Sequence, residues 1–193
     1  GDLAEWASHE AMVLDSLSTT IVNRELHRGD DDMTALVWVG WSASALHLAA
    51  QVRDDTLTDV PGKPLWQNDS VEIYFDGRRE ADRTAAYGPL VSQNTFPVLR
   101  AVVDKFDGNN SWPVQAIEWA VKPANGGYTL EATIPYALIR GGRGAPAPGE
   151  RVRFDLMIND RDSVDGSQSH HRLWSRGGRS SNTSGFGLLV LQP

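Results

Sequence analysis

The sequence predicts an all-β fold, a sandwich of two antiparallel sheets with one short helical turn near residues 135–139. Three observations carry this. Apolar residues recur with a period of two along most of the chain. Turn-forming groups, such as Pro61-Gly62, Asp107-Gly108-Asn109-Asn110 and Asn125-Gly126-Gly127, separate those stretches. No stretch sustains a helical period.

Taken in order, Trp6 reads as a plug at one end of the core, and Met12-Val13-Leu14 opens the first strand. Ala35, Val37, Val39 and Trp41 alternate with Leu36, Trp38 and Gly40, so both faces are apolar and the strand is central and covered on each side. Leu46, Leu48, Ala50 and Val52 alternate with His47, Ala49, Gln51 and Arg53, and residues 42–45 turn these two runs into a hairpin. Residues 70–76 form the next strand. Residues 81–96 carry no clear period, and 98–106 read as a strand. Ile117, Trp119 and Val121 line one face, which makes Trp119 a core residue. With Tyr128, Leu130, Ala132 and Ile134 they form a second hairpin across Asn125-Gly126-Gly127. Pro135 has no N–H for a central ladder and is preorganised to start a helical turn. After a Gly/Pro-rich loop, Val152, Phe154, Leu156 and Ile158 alternate, and residues 186–191 close a sheet.

With 193 residues and 40% hydrophobic content, the chain suits one large domain spanning 1–193. Net charge is -7 and no concentrated basic patch is visible in the sequence, which argues against a nucleic-acid or anionic-membrane partner. No cysteine is present, so disulfides, thiolate metal sites and cysteine nucleophiles are excluded. The chain opens on Gly1-Asp2-Leu3 rather than Met, as expected of a piece excised from a larger protein.

The chemistry concentrates in Leu65-Trp66-Gln67-Asn68-Asp69-Ser70-Val71-Glu72-Ile73-Tyr74-Phe75-Asp76. Val71, Ile73 and Phe75 belong to a sheet core, while Glu72 and Tyr74 share the opposite face beside an indole in a polar loop. A flat apolar ring with hydrogen-bonding groups at its edge is a sugar-binding combination. The alternative places Trp66 as an edge cap, with Glu72 and Tyr74 on a solvated face. Trp174 also lies in a polar stretch of poor core periodicity, unlike Trp38, Trp41 and Trp119.

Four segments occur in order: Trp66 before Asp69-Ser70-Val71-Glu72-Ile73-Tyr74-Phe75-Asp76; Gly127-Tyr128-Thr129-Leu130-Glu131-Ala132-Thr133-Ile134-Pro135-Tyr136; Phe154-Asp155-Leu156-Met157-Ile158-Asn159-Asp160; and Leu173-Trp174 followed by Phe186-Gly187-Leu188-Leu189. Together they resemble carbohydrate-binding module family 9, within the DOMON-like sandwich superfamily, over nearly the whole chain. The resemblance implies a non-catalytic, secreted module tethered to a glycoside hydrolase such as a xylanase. It implies binding of glucan or xylan at reducing chain ends, with Trp66 and Trp174 clamping the terminal sugar and Glu72 accepting from its hydroxyls. Further polar positions carried over are Arg100, on the strand read at 98–106, Asn159 at the end of its strand, and His171 where the family has an amide. Structural calcium is also implied. The acidic turns supply hard oxygen ligands for it, and Asp54, Asp55 and Asp160 are the candidates.

Two other function classes stay open at this stage besides a spacer or protein-interaction sandwich. Met12, Met33 and Met157 with five histidines make a haem-binding electron-transfer domain an alternative. A hydrolase would need paired carboxylates, for which Glu72 and Glu131 are the imaginable pair. His170-His171 has no third ligand in view and reads as surface loop rather than zinc site.

Overall fold

The computed structural model describes residues 2–15, 20–100, 103, 105–166, 170–173 and 182–192, without the side chains of 20, 21 and 170–173. Its strands are β1 (Met12–Leu14), β2 (Thr20–Val22), β3 (Met33–Trp41), β4 (Ala45–Asp54), β5 (Ser70–Asp76), β6 (Val91–Pro97), β7 (Glu118–Ala124), β8 (Gly127–Pro135), β9 (Arg151–Asp160), β10 (His170–Leu173) and β11 (Gly187–Val190). One sheet runs β1-β3-β4-β8-β7. The other runs β2-β10-β9-β5-β6, with β11 also paired to β9, and the described pairings are antiparallel. The two-sheet sandwich read from the sequence is the fold.

Alternation decides which residues meet between the sheets. Val37, Leu46, Leu48, Ala50, Val52, Leu130, Ala132 and Ile134 come from the first sheet, and Val71, Ile73, Phe75, Phe96, Phe154, Leu156 and Ile158 from the second. Their inner faces interdigitate, with Phe75 and Phe154 ring centroids 5.0 Å apart. Both expected hairpins form, β3–β4 and β7–β8. In the second, Trp119 lies edge-on to Phe96 and Phe106, half-buried against the core from an edge strand.

Pro135 closes β8 beyond the last β7 partner and precedes the one short helix, α1 (Tyr136–Arg140). Gly77, directly after β5, lets that helix dock. A Cβ there would sit 1.7 Å from the Ile139 carbonyl oxygen.

Two sequence expectations are corrected. The strand is β6 at Val91–Pro97, not 98–106; within 98–106 the described residues contribute only an isolated bridge, Lys105 to Pro113. Buried Ser92, Asn94 and Thr95 disguised β6, because Asn94 points inward to accept from the Trp112 N–H at 2.7 Å instead of packing as an apolar residue. Trp6 is not a core plug. It lies over Gly40 on the outer face of the first sheet, and its indole N–H donates to Glu131 Oε1 at 3.3 Å.

Gly77→Ala is expected to cost about 3 kcal/mol through this backbone collision, a fall in Tm of about 6–12 °C in a thermal melt. An unchanged Tm would show that α1 can lift off the sheet freely.

Candidate functional site

Trp66 stands on a 3-10 turn, Leu65–Gln67, that leads into β5. Its indole is 41% exposed, whereas its neighbour Leu65 is buried. The turn is held by short bonds. The Leu65 N–H donates to Asp107 Oδ2 at 2.5 Å, Asn68 Nδ2 to the Pro64 carbonyl at 2.9 Å, and the Val60 N–H to Asn68 Oδ1 at 2.7 Å. Arg161, from beyond β9, donates to the Gln67 carbonyl at 3.1 Å. The indole is therefore presented from a fixed backbone.

Glu72 is not on a solvated face; it is 1% exposed. One carboxylate oxygen accepts from Asn159 Nδ2 at 2.9 Å, and the other from the Tyr74 hydroxyl at 2.7 Å and Gln93 Nε2 at 2.5 Å. Asn159 also donates to Ser70 Oγ at 2.9 Å. Burial, reinforced by the Glu72 charge, keeps the Tyr74 phenol protonated by pushing its pKa far above the ordinary value. Tyr74 packs with Val91, Met157 and Phe186 in a small apolar cluster on this outer face, which shields the network from water on one side. Met157 thus serves packing. Glu131 lies in the other sheet, on the face that meets Trp6, so it forms no carboxylate pair with Glu72.

The structure brings Glu72 and Asn159 together, and β10 places His171 backbone-to-backbone opposite Asn159. Arg100 is elsewhere. It follows β6 rather than lying on a strand, its Nε is 2.7 Å from Asp59 Oδ1, and it donates to the Val60 and Lys63 carbonyls at 2.9 and 3.2 Å. Its visible work is to hold the loop before Trp66. Trp174 lies outside the described residues. Gln93 was missed, since β6 itself was not recognised. It is the half-exposed member of the Glu72 network and accepts from Asn109 at 3.1 Å.

Three further carboxylates converge at the same end of the sandwich. Asp54 closes β4, Asp69 precedes β5 and Asp160 closes β9; all are buried, with ligand oxygens within 4.8 Å of one another. Asp69 accepts the N–H groups of Thr58 and, at 2.8 Å, Arg161. Asp54 accepts the Thr56 N–H at 2.9 Å, while its Oδ2 has no hydrogen-bond partner among the described residues. Asp55 stays outside this cluster, 3.0 Å from the Arg28 guanidinium. Arg28 also reaches Asp32 and Asp162, at 2.7 and 2.8 Å. Asp69 was overlooked in the sequence because its side chain precedes the strand whose alternation drew attention to Glu72.

The two-sheet sandwich thus carries a polar network on the outer face of β5 and an exposed indole on the turn that leads into that strand. The profile of the carbohydrate family 9 binding domain-like family matches residues 4–193, and the chain belongs to that family. Its fold is similar to that of a carbohydrate binding module family 9 from Caldicellulosiruptor kristjanssonii in complex with cellotriose, with TM-score 0.74, 20% identity, and coverage of 98% of this chain and 85% of that one. A carbohydrate binding module family 9 from the same organism in complex with glucose aligns with TM-score 0.66 and 23% identity, over 83% of this chain and 77% of that one. No curated protein matches the chain.

Burial first, and then the neighbouring charges of Asp160 and Asp54 respectively, push Asp54 up to about 8 and Asp69 up to about 9. Both therefore hold a proton more tightly when folded than when unfolded, where the reference is 3.8. In chelator, their contribution to stability is expected in full below about pH 4 and to be lost as pH rises through 8 and 9. Urea melts from pH 5 to 9 test this: the decline should flatten in Asp54→Asn, and a flat wild-type profile would contradict the cluster's repulsion.

Proposed function

We propose that the chain is a non-catalytic module that binds plant-cell-wall glucan or xylan at reducing chain ends. The observation that carries this reading is Trp66, exposed on a braced turn at the same end of β5 as the Ser70–Asn159–Glu72 network. Family membership and the cellotriose and glucose complexes of the two similar structures support it.

A pyranose has apolar C–H faces and a hydroxyl rim. Stacked on an indole, one face gains about 1 kcal/mol beyond simple area burial. Trp174 supplies the second face in this proposal, making the clamp. A carboxylate offers roughly four acceptor positions, and Glu72 uses three of them on Asn159, Tyr74 and Gln93. The remaining position, on the oxygen that Asn159 holds, accepts a sugar hydroxyl in a charge-assisted bond. Asn159 and His171 orient the sugar from the β9–β10 side, and Arg100 sets the loop that carries Trp66.

In the same proposal the module is secreted and tethered to a glycoside hydrolase such as a xylanase. Tethering raises the enzyme's effective concentration on its polysaccharide even when the module's own affinity is modest.

Asp54, Asp69 and Asp160 fit calcium, which takes hard oxygen ligands; buried carboxylates crowded this closely need a cation once they ionise. Bound there, its two positive charges would offset most of the three negative ones and brace β4 against β5 and β9.

Isothermal titration with cellobiose, xylobiose and their alditols tests the sugar site. Free sugars should bind, the alditols should not, and Trp66→Ala or Trp174→Ala should weaken binding about tenfold or more. No heat from the folded wild type would instead favour a spacer or protein-interaction role. For the metal, calcium at 100 times its Kd should stabilise the protein at pH 8 by about 2.7 kcal/mol. Equal stabilisation of Asp54→Asn would place the ion elsewhere.

A further inference from the structure

The far end of β5 carries a different chemistry. Roughly 20 Å along the strand from Ser70, the ends of β5, β9 and α1 surround a recess of about 380 Å³ lined by Arg78, Arg79, Arg83, Arg143 and Arg151, with Gly149, Glu80 and Glu150. In a chain of net charge -7, this concentration of guanidinium groups runs against the average.

Two of the arginines are already neutralised. Arg78 grips Asp76 with Nε and Nη2, each at 2.8 Å, and Arg140, behind the recess, grips Glu150 at 2.5 Å. Arg83 and Arg143 are held differently. Arg83 donates through Nε to the Arg78 carbonyl at 3.3 Å and through Nη2 to the Arg151 carbonyl at 2.9 Å. Arg143 donates through Nε to the Arg140 carbonyl at 3.0 Å and through Nη2 to the Gly77 carbonyl. Neutral carbonyls fix both planar groups in place without cancelling their charge. In each, Nη1 makes no hydrogen bond to a described residue and keeps its donors for a ligand. Desolvation first, then neighbouring arginines, disfavour the charged form of both, only partly offset by Asp76 and Glu80 at Arg83 and by Glu150 at Arg143; an anion would add to that offset.

We infer that this recess binds an oxyanion displayed on a polysaccharide, a uronate carboxylate or a sulfate ester, with Arg83 and Arg143 as its fixed forks and Arg79 and Arg151 closing around it. Rigid guanidinium forks match planar carboxylates and sulfate-type oxygens with paired hydrogen bonds. Among the described residues, the lining of the recess includes no exposed aromatic or aliphatic anchor of the sort that centres a protein interface. The choice of a sugar polymer over other anions rests on the carbohydrate-binding reading above; the arginine geometry does not.

The test is titration of wild type and Trp66→Ala with an oligogalacturonate, a sulfated oligosaccharide of equal length, neutral cello-oligosaccharide and oligo-glutamate. Binding of either anionic sugar is expected in both proteins, falling with salt and falling about tenfold in Arg83→Gln or Arg143→Gln. Which sugar binds identifies the oxyanion. Arg79→Gln/Arg151→Gln, whose side chains make no hydrogen bond to described residues, should also weaken it and keeps the test decisive if the first two variants unfold. Neutral-sugar binding should ignore all the arginine changes, and its absence from the wild type would count against the Trp66 site alone. Absence of anionic-sugar binding, insensitivity to these arginines, or equal binding of oligo-glutamate overturns the inference.

Discussion

The pairing of β5 with β9 is the constraint on which the rest depends. Its register runs from Ser70 opposite Asn159 to Asp76 opposite Arg153. Because side chains alternate, the same seven-residue strand sends Val71, Ile73 and Phe75 into the core and Glu72 and Tyr74 outward. A slip by one residue would exchange the two sets and destroy core and polar network together. The register also gathers Asp69 and Asp160 at one end and the arginine recess at the other. Burial of the inner face thus specifies both chemistries without either having to stabilise the fold.

Much of the sandwich was legible because most of its strands are amphipathic ribbons. β4, β5, β8 and β9 each present a clean apolar alternation to one core. β6 failed for a physical reason. At the sheet edge it buries Ser92, Asn94 and Thr95 among hydrogen-bonding loops, so its polarity imitates that of a turn. Trp6 failed because an indole covering a glycine on an outer face has the same sequence appearance as one filling a core.

The site divides along similar lines. Trp66 was readable as an aromatic without apolar neighbours in phase, and Glu72 as a carboxylate on a strand whose other face is core. That Glu72 is buried was not readable, since its partners Asn159 and Gln93 come from other strands and its cover from Phe186 and Tyr87. Asp54 and Asp160 could be guessed from acidic turns, but choosing Asp69 over Asp55 required knowing that Asp55 turns to Arg28 while Asp69 comes within 4.8 Å of the other two. Local sequence registers charge; only the fold reveals whether that charge has been answered.

The braced turn beneath Trp66 bears on how the module would act if tethered as proposed. Its backbone is tied to Asp107, Asn68 and Arg161 before any ligand arrives. Such ties leave little of the turn for a ligand to order, and a ligand without differential affinity for two states shifts no equilibrium between them. In the function proposed above, the turn would be an anchor and not a messenger: it would determine where a tethered partner is held, while leaving that partner uninformed of whether the anchorage is taken.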